Sequence, residues 1–330
     1  MKHQIRMAAL LLAALWSLAW SAAGRAPEPR TAQESEEITQ QTAAATADAQ
    51  RTLRILHGGA VEEMDMRAYL IGVLRAEMPA SFELEALKAQ AIAARTYTLY
   101  KMRGGPIAAH PDADACDDIT CCKAYCTAEQ AAAQWGERAA EYEDKLARAV
   151  DETDAQVVCY GGEPILAVFC SSTNGHTQNA GAVWSHDLPY LQSVTSPERE
   201  ELVPNYYSTE TFAAKDFRER ILAAYPAAQL SGAATGWITD IARSEAGFVT
   251  SLSVGGVRLR GNELRTLLGL RSPAFTVEAA DDALTFRVTG YGHGVGMSQY
   301  GANILAQQGM GCTEILEHYF TGATVETYHG

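Results

Sequence analysis

From Asp65 the chain reads DMRAYLIGVLRAEMPASFELEALKAQAIAARTYTLYKM, and no other stretch constrains the fold as tightly. Met66, Tyr69, Leu70, Val73 and Leu74 recur at helical spacing and make one apolar face. Pro79 cannot continue that helix, because its ring fixes φ and pushes the preceding residue out of the helical region. Ser81 reads as the N-cap of a second helix running to about Met102, and Glu83 and Glu85 suit the positive end of its dipole. Two helices therefore meet around Ala76 to Ala80, and the rest of the chain must pack around that junction.

Ordered sequence begins just ahead of this pair with a short strand, LRILHGG from Leu53. Gln130 to Asp151 reads as helix, and from Gln156 onward short β runs are broken by Gly, Pro and Asn. The fold class is therefore α+β, helices with short strands, in one unit spanning 51–330. The β-rich stretch from Trp237 to Leu270 is a lobe of its own within that unit if it separates at all. Residues 24–50, rich in Pro, Glu, Gln, Thr and Ala, read as a flexible linker. Before them, residues 1–23 carry Lys2 and Arg6 and then an uncharged run from Met7 to Ala23, a membrane anchor or a cleaved signal. Either way the basic flank sends the remainder outside the cytoplasm. Lys plus Arg total 26 against 40 Asp plus Glu, and a net charge of -14 repels phosphate backbones, which excludes nucleic acid as the expected partner.

Four constellations carry chemistry. Glu77, at the helix junction beside Met78 and Phe82, is placed where shielding raises a carboxyl pKa, as a general acid at neutral pH requires. Lys88 and Arg95 lie two turns apart on the second helix and share a face, which suits either a polar ligand or solvent. The loop GHGVGMSQYGA brings His293, Ser298 and Gln299 among glycines, and FCSSTNGHT brings Ser171, Ser172 and His176 near Trp184 and Tyr190. Neutral donors, acceptors and aromatic rings suit sugars, and neither loop has the lysine of a phosphate loop or the spacing of a serine nucleophile elbow. Finally HPDADACDDITCCKAYC gathers His110, Cys116, Cys121, Cys122 and Cys126. Thiolates with one imidazole suit tetrahedral zinc, while export makes disulfides an alternative and free thiols a third, since seven cysteines cannot all pair in one molecule.

On four stretches in order the sequence resembles the stage II sporulation protein D family, SpoIID, of peptidoglycan lytic transglycosylases from endospore-forming bacteria. They are VLRAEMPASFELEALKAQAIAARTY, VFCSSTNGHT to VWSHDLPYL, LRTLLGLRSPAF and GHGVGMSQYGA. The resemblance implies a glycan groove with Glu77 as the catalytic acid and Lys88, Arg95 and both polar loops binding the strand. It implies a zinc site in which His110, Cys116 and Cys122 match ligand positions, with Cys121 standing where relatives carry a histidine. The fourth ligand is Cys121 or Cys126. It further implies peptidoglycan as substrate, a sporulation amidase and membrane proteins of the engulfment complex as partners, and an anchored location on the outer face of the cytoplasmic membrane, facing the septal wall. Related chains bearing this domain are described as amidase enhancers, so a non-catalytic glycan-binding role and a zinc-dependent hydrolase are the rival readings.

Overall fold

The computed structural model describes residues 46–329 apart from Pro106 and Ser185, so the segment 1–23 and the linker up to residue 45 lie outside the described residues. Residues from Thr46 onward form one compact α+β unit. Among the described residues no helix is long and apolar enough to cross a membrane. The linker ends earlier than position 50. Ala47–Gln50 is a short helix, α1, capped by the Thr46 hydroxyl, which accepts from the Ala49 N–H at 3.2 Å. Its Asp48 is buried, because a polar stretch can still fold when one of its acids finds a buried cation.

Strands β1 (Thr52–His57) and β2 (Ala60–Asp65) form an antiparallel hairpin, turning at Gly58 and Gly59, both with positive φ. Asp65 then caps α2 (Met66–Glu77) by accepting from the Ala68 N–H at 2.7 Å. The apolar face read from spacing is buried whole. Helix α2 ends at Met78, ahead of Pro79. The following helix, α3 (Leu84–Arg103), starts later than expected: its N-cap is Glu83 rather than Ser81. Ser81 lies inside a turn closed by the Phe82 N–H on the Pro79 carbonyl at 2.9 Å, and the Glu83 N–H is taken by Asn303 Oδ1 at 2.7 Å. A distant side chain here replaces the local cap.

After β3 (Ala115–Cys116), which joins β1 in parallel, the expected helix over Gln130 to Asp151 is two helices. These are α4 (Ala128–Trp135) and α5 (Ala139–Asp151), separated by a tight turn at Gly136 with φ 56°. Then come β4 (Gln156–Tyr160), β5 (Glu163–Pro164), β6 (Phe169–Cys170), α6 (Ala180–Val183), β7 (Tyr207–Ala213), α7 (Ala214–Ala224), β8 (Ile238–Arg243), β9 (Val249–Val254), β10 (Val257–Arg260), α8 (Gly261–Leu268), β11 (Phe275–Ala279), β12 (Ala283–Thr289), β13 (Met297–Ser298), α9 (Gln299–Gln307), α10 (Cys312–Tyr319) and β14 (Thr324–Thr327).

Helix α3 is the spine of the larger core. It touches α2, α5, α9, α10 and β4, and its run of fully buried alanines (Ala86, Ala89, Ala91, Ala93, Ala94) lets those neighbours approach closely. A second core, with Phe217, Ile221, Leu252, Leu264, Phe275 and Phe286, fills a lobe wider than Trp237 to Leu270. It runs from β7 to β12, since β7 pairs with β12 from Tyr207↔Thr289 to Ala283↔Ala213 and closes the lobe on itself.

Candidate active site and metal centre

The end of α2 leaves Glu77 half-buried, with the Ala124 N–H donating to its Oε1 at 3.2 Å. Burial raises its pKa above the ordinary value. Three groups pull the other way without winning: the Lys123 ammonium, the Ala124 N–H and the Gln299 side chain. Lys123 is itself buried, its Nζ 3.9 Å from the centre of the Tyr97 ring and 3.7 Å from that of Phe169. Ring faces attract a cation but replace water poorly, so burial lowers the ammonium pKa to about 8. Among the described residues no carboxylate other than Glu77 acts on this ammonium, and no second carboxylate acts on Glu77.

One residue before Lys123 the chain enters the cysteine cluster. A ligand atom from each of His110, Cys116, Cys121 and Cys122 lies within 4.8 Å of every other. A tetrahedron with bonds of about 2.0–2.3 Å has edges of about 3.5–3.8 Å. The structure has 3.3 Å from Cys122 Sγ to His110 Nε2, 3.5 Å from Cys121 Sγ to the same nitrogen, and 3.9 Å between the two sulfurs. His110 Nδ1 faces the Ala113 carbonyl at 3.0 Å, which leaves Nε2 as the ligating nitrogen. The donor set therefore fits a four-coordinate soft divalent ion. Both adjacent cysteines reach it, and Cys126 does not, its sulfur lying 3.5 Å from the Thr127 carbonyl. None of the seven cysteines is disulfide-bonded.

The polar loops bind each other more than they face outward. β13 pairs in parallel with β6, which sets Ser298 beside Cys170. Ser298 is fully buried, caps α9 by accepting from the Gly301 N–H at 3.2 Å, and donates a short hydrogen bond to Glu198. Ser172 is 2% exposed and exchanges backbone hydrogen bonds with Tyr291. Ser171 accepts the Tyr300 N–H on its carbonyl at 3.0 Å, and His176 is exposed in a bridge to Thr195. His293 has its Nδ1 held by the Val295 N–H at 3.1 Å and its other nitrogen turned to the Phe169 carbonyl, beside the Trp184 ring at 5.3 Å. Burial next to Lys123 and Arg265 lowers its pKa to about 3, so the imidazole stays neutral. Of the six loop residues expected to bind glycan, Gln299 is the one set against Glu77.

Lys88 and Arg95 need correction. They do share a face, yet that face meets protein. Lys88 bridges Glu85 at 2.8 Å and Glu152 at 2.6 Å. Arg95 is 1% exposed, with Nε 3.0 and 2.9 Å from the two Asp48 oxygens and Nη1 donating to the Gln156 carbonyl at 3.0 Å. A guanidinium sealed by a carboxylate and a carbonyl has no room for a sugar.

A family model described as stage II sporulation protein, SpoIID, matches residues 57–160. Stage II sporulation protein D of Bacillus amyloliquefaciens is 38% identical over 266 residues, which cover 80% of this chain and 75% of that one. The chain belongs to the SpoIID family. The protein of the same name from Bacillus subtilis (strain 168) is 37% identical over 269 residues. A protein named amidase enhancer from the same strain is 29% identical over 306 residues, 78% of this chain and 40% of its own length.

The span matched by the SpoIID model contains Glu77, the four cluster residues and Lys123. Sequence reasoning found the first five and passed over Lys123 and Glu198. Lys123 had a signal, a lone cation written between cysteines in an otherwise half-apolar run. Glu198 had none, being one of three acids in SPEREE, yet it is 5% exposed and accepts from the Thr173 N–H at 2.8 Å and its hydroxyl at 3.1 Å. Through Ser298 it ties the Ser171–His176 loop to the helix start that carries Gln299. Gly301 makes this possible, because a Cβ there would lie 2.1 Å from the Tyr319 hydroxyl and 3.1 Å from Glu198 Oε2.

Proposed function

We propose that this protein is a lytic transglycosylase acting on the glycan strands of peptidoglycan, with Glu77 as its single acid and base. The observation that carries the reading is a half-buried carboxyl of raised pKa, facing a cation rather than a second carboxylate. A glycosidase that delivers water works with two carboxyl groups at a set separation. A lytic transglycosylase needs one. Glu77 donates its proton to the oxygen joining N-acetylmuramic acid to N-acetylglucosamine, and that bond to C1 breaks. The carboxylate left behind, favoured by Lys123, the Ala124 N–H and Gln299, then takes the proton of the muramyl C6 hydroxyl as its oxygen bonds to C1. The product is a 1,6-anhydro sugar, and Glu77 ends protonated as it began.

His110, Cys116, Cys121 and Cys122 are the residues that would hold zinc, and a bound zinc would supply cross-linking of this loop. Four protein ligands close a tetrahedral site, which argues for a structural ion and against a zinc-dependent hydrolase. The remaining residues act directly. Cys122, Lys123 and Ala124 follow one another, so the loop that carries two ligands also presents the ammonium and the N–H that hold Glu77.

The location proposed is the outer face of the cytoplasmic membrane, with residues 7–23 as anchor, acting on the septal wall during engulfment alongside a cell-wall amidase and membrane proteins of the engulfment complex. The amidase enhancer relative supports a second reading, a glycan-binding module that stimulates an amidase without cutting. Analysis of products from purified protein on peptidoglycan tests all of these. Anhydromuramyl ends support the lytic reading, reducing ends point to hydrolysis, and intact strands point to the enhancer.

A further inference from the structure

The stretch LRTLLGLRSPAF marks the family but has no role in the mechanism above, and it carries two arginines that reach the site. Arg265, on α8, donates from Nε to the Arg271 carbonyl at 3.1 Å and from Nη1 to Asn262 Oδ1 at 3.2 Å. The same Arg271 carbonyl also accepts the Gly292 N–H at 2.8 Å, which fastens the segment under the glycine-rich loop. The Arg271 guanidinium lies 4.6 Å from the centre of the Tyr291 ring, and its Nε is buried without a hydrogen-bond partner. Tyr291 is 47% exposed. The charge of Arg265 reaches His293, whose ring meets Trp184.

Among the described residues no carboxylate pairs with either guanidinium; the groups acting on Arg265 are Tyr291 and Cys170. Acids are not scarce, with 40 against 26 Lys and Arg in the chain. Burial pushes Arg265 below its ordinary range for want of a counter-ion. A half-buried cation left unpaired in an acidic protein is costly unless an anion arrives. By contrast Arg95, buried in the scaffold, has its acid in Asp48.

We propose that Arg265 and Arg271 form an anion subsite, beside the Trp184–His293 edge of the candidate active site, that takes a carboxylate carried by the glycan strand. This rests on the peptidoglycan reading above. Forked N–H donors suit a carboxylate, and the exposed Tyr291 ring and the half-buried Trp184 ring flank it with surfaces suited to a sugar. Two sources carry such a group: the lactyl carboxylate of a muramyl residue without peptide, and the carboxylates of a stem peptide.

The test uses the full-length protein carrying Glu77→Gln, so that binding is read without turnover. Its affinity is measured for a peptide-free N-acetylglucosaminyl-N-acetylmuramyl tetrasaccharide and for the same sugar with its lactyl groups amidated. The carboxylate form is expected to bind about 10- to 100-fold more tightly, the range of charge-assisted hydrogen bonds. Arg265→Gln with Arg271→Gln should erase the difference, and the corresponding lysine variants should restore part of it. Competition by a free stem peptide, with no difference between the two sugars, would assign the subsite to peptide carboxylates. Equal binding of both sugars without such competition overturns the subsite, and this arm needs no arginine variant to fold. Cleavage surviving Glu77→Gln would overturn the mechanism instead, while the carboxylate preference still stands or falls on the binding data.

Discussion

Two buried cations sit on opposite faces of α3 and have opposite surroundings. Arg95 is sealed by both oxygens of Asp48, which accept from its Nε at 3.0 and 2.9 Å and from its Nη2 at 2.5 Å, and by the Gln156 carbonyl at 3.0 Å. Lys123 is as well hidden, but two aromatic rings hold it and its acid is the titrating Glu77. A charge whose needs are met by fixed groups is scaffold. One left partly unmet can change its balance when a proton or a ligand moves, and that is the property a site requires.

The largest expected effect separates the two regions outright. Removing the cluster metal, by chelation or by Cys116→Ser or Cys122→Ser, should unfasten the loop from Ala109 to Tyr125 and with it Lys123, while leaving the Arg95 side intact. Structural zinc contributes on the order of 10 kcal/mol to a small site. Hydrogen exchange should show the loss confined to the loop, and metal analysis should find about one ion per chain before chelation and none after. Cys126→Ser should keep its metal, and loss of metal there would return the fourth ligand to that residue.

Next is Glu77→Gln, which should lower glycan cleavage by at least the roughly 100- to 10,000-fold typical of a positioned proton donor, with the melting curve preserved. Wild-type rates would sink the single-acid mechanism.

Arg95→Met attacks the other side. It strands the Asp48 carboxylate in the core, a loss of about 3–5 kcal/mol by analogy with broken buried pairs, read as a lower denaturation midpoint. Glycan affinity in whatever remains folded should not change. A fall in affinity at unchanged stability would return Arg95 to the groove.

The smallest and most diagnostic effect is on pH. As an acid Glu77 must be protonated, so activity should fall as pH rises through its raised pKa. Lys123 favours the carboxylate and therefore holds that pKa down. Lys123→Met should let it rise, moving the alkaline limb of the rate profile to higher pH. A limb that stays in place would make Lys123 a packing residue.

How much of this was legible in the residues varies with the range of the interaction. The buried face of α2, the stop at Pro79, the carboxyl at the junction and the gathering of His110, Cys116, Cys121 and Cys122 lie within a few turns or one short loop, and spacing points to each of them, though it leaves Cys126 beside the other cysteines. The misplaced cap of α3 failed because Asn303 replaced it from another helix. The Gln130–Asp151 helix broke at a single glycine that periodicity averages over.

What the sequence determined by itself, then, is the local alphabet: which segments are helical, which apolar faces must be buried, and which side chains are chemically able to donate a proton or ligate a metal. Tertiary structure alone decided their partners. Arg95 carries the same charge and helical phase whether it meets Asp48, Gln156 or a sugar, and the residues beside Lys123 in the chain do not say that Tyr97 and Phe169 close on it. Helical periodicity is written in neighbouring residues because it follows from backbone geometry. Desolvation and pairing depend on groups brought together from far along the chain, and those exist only once the cores have packed.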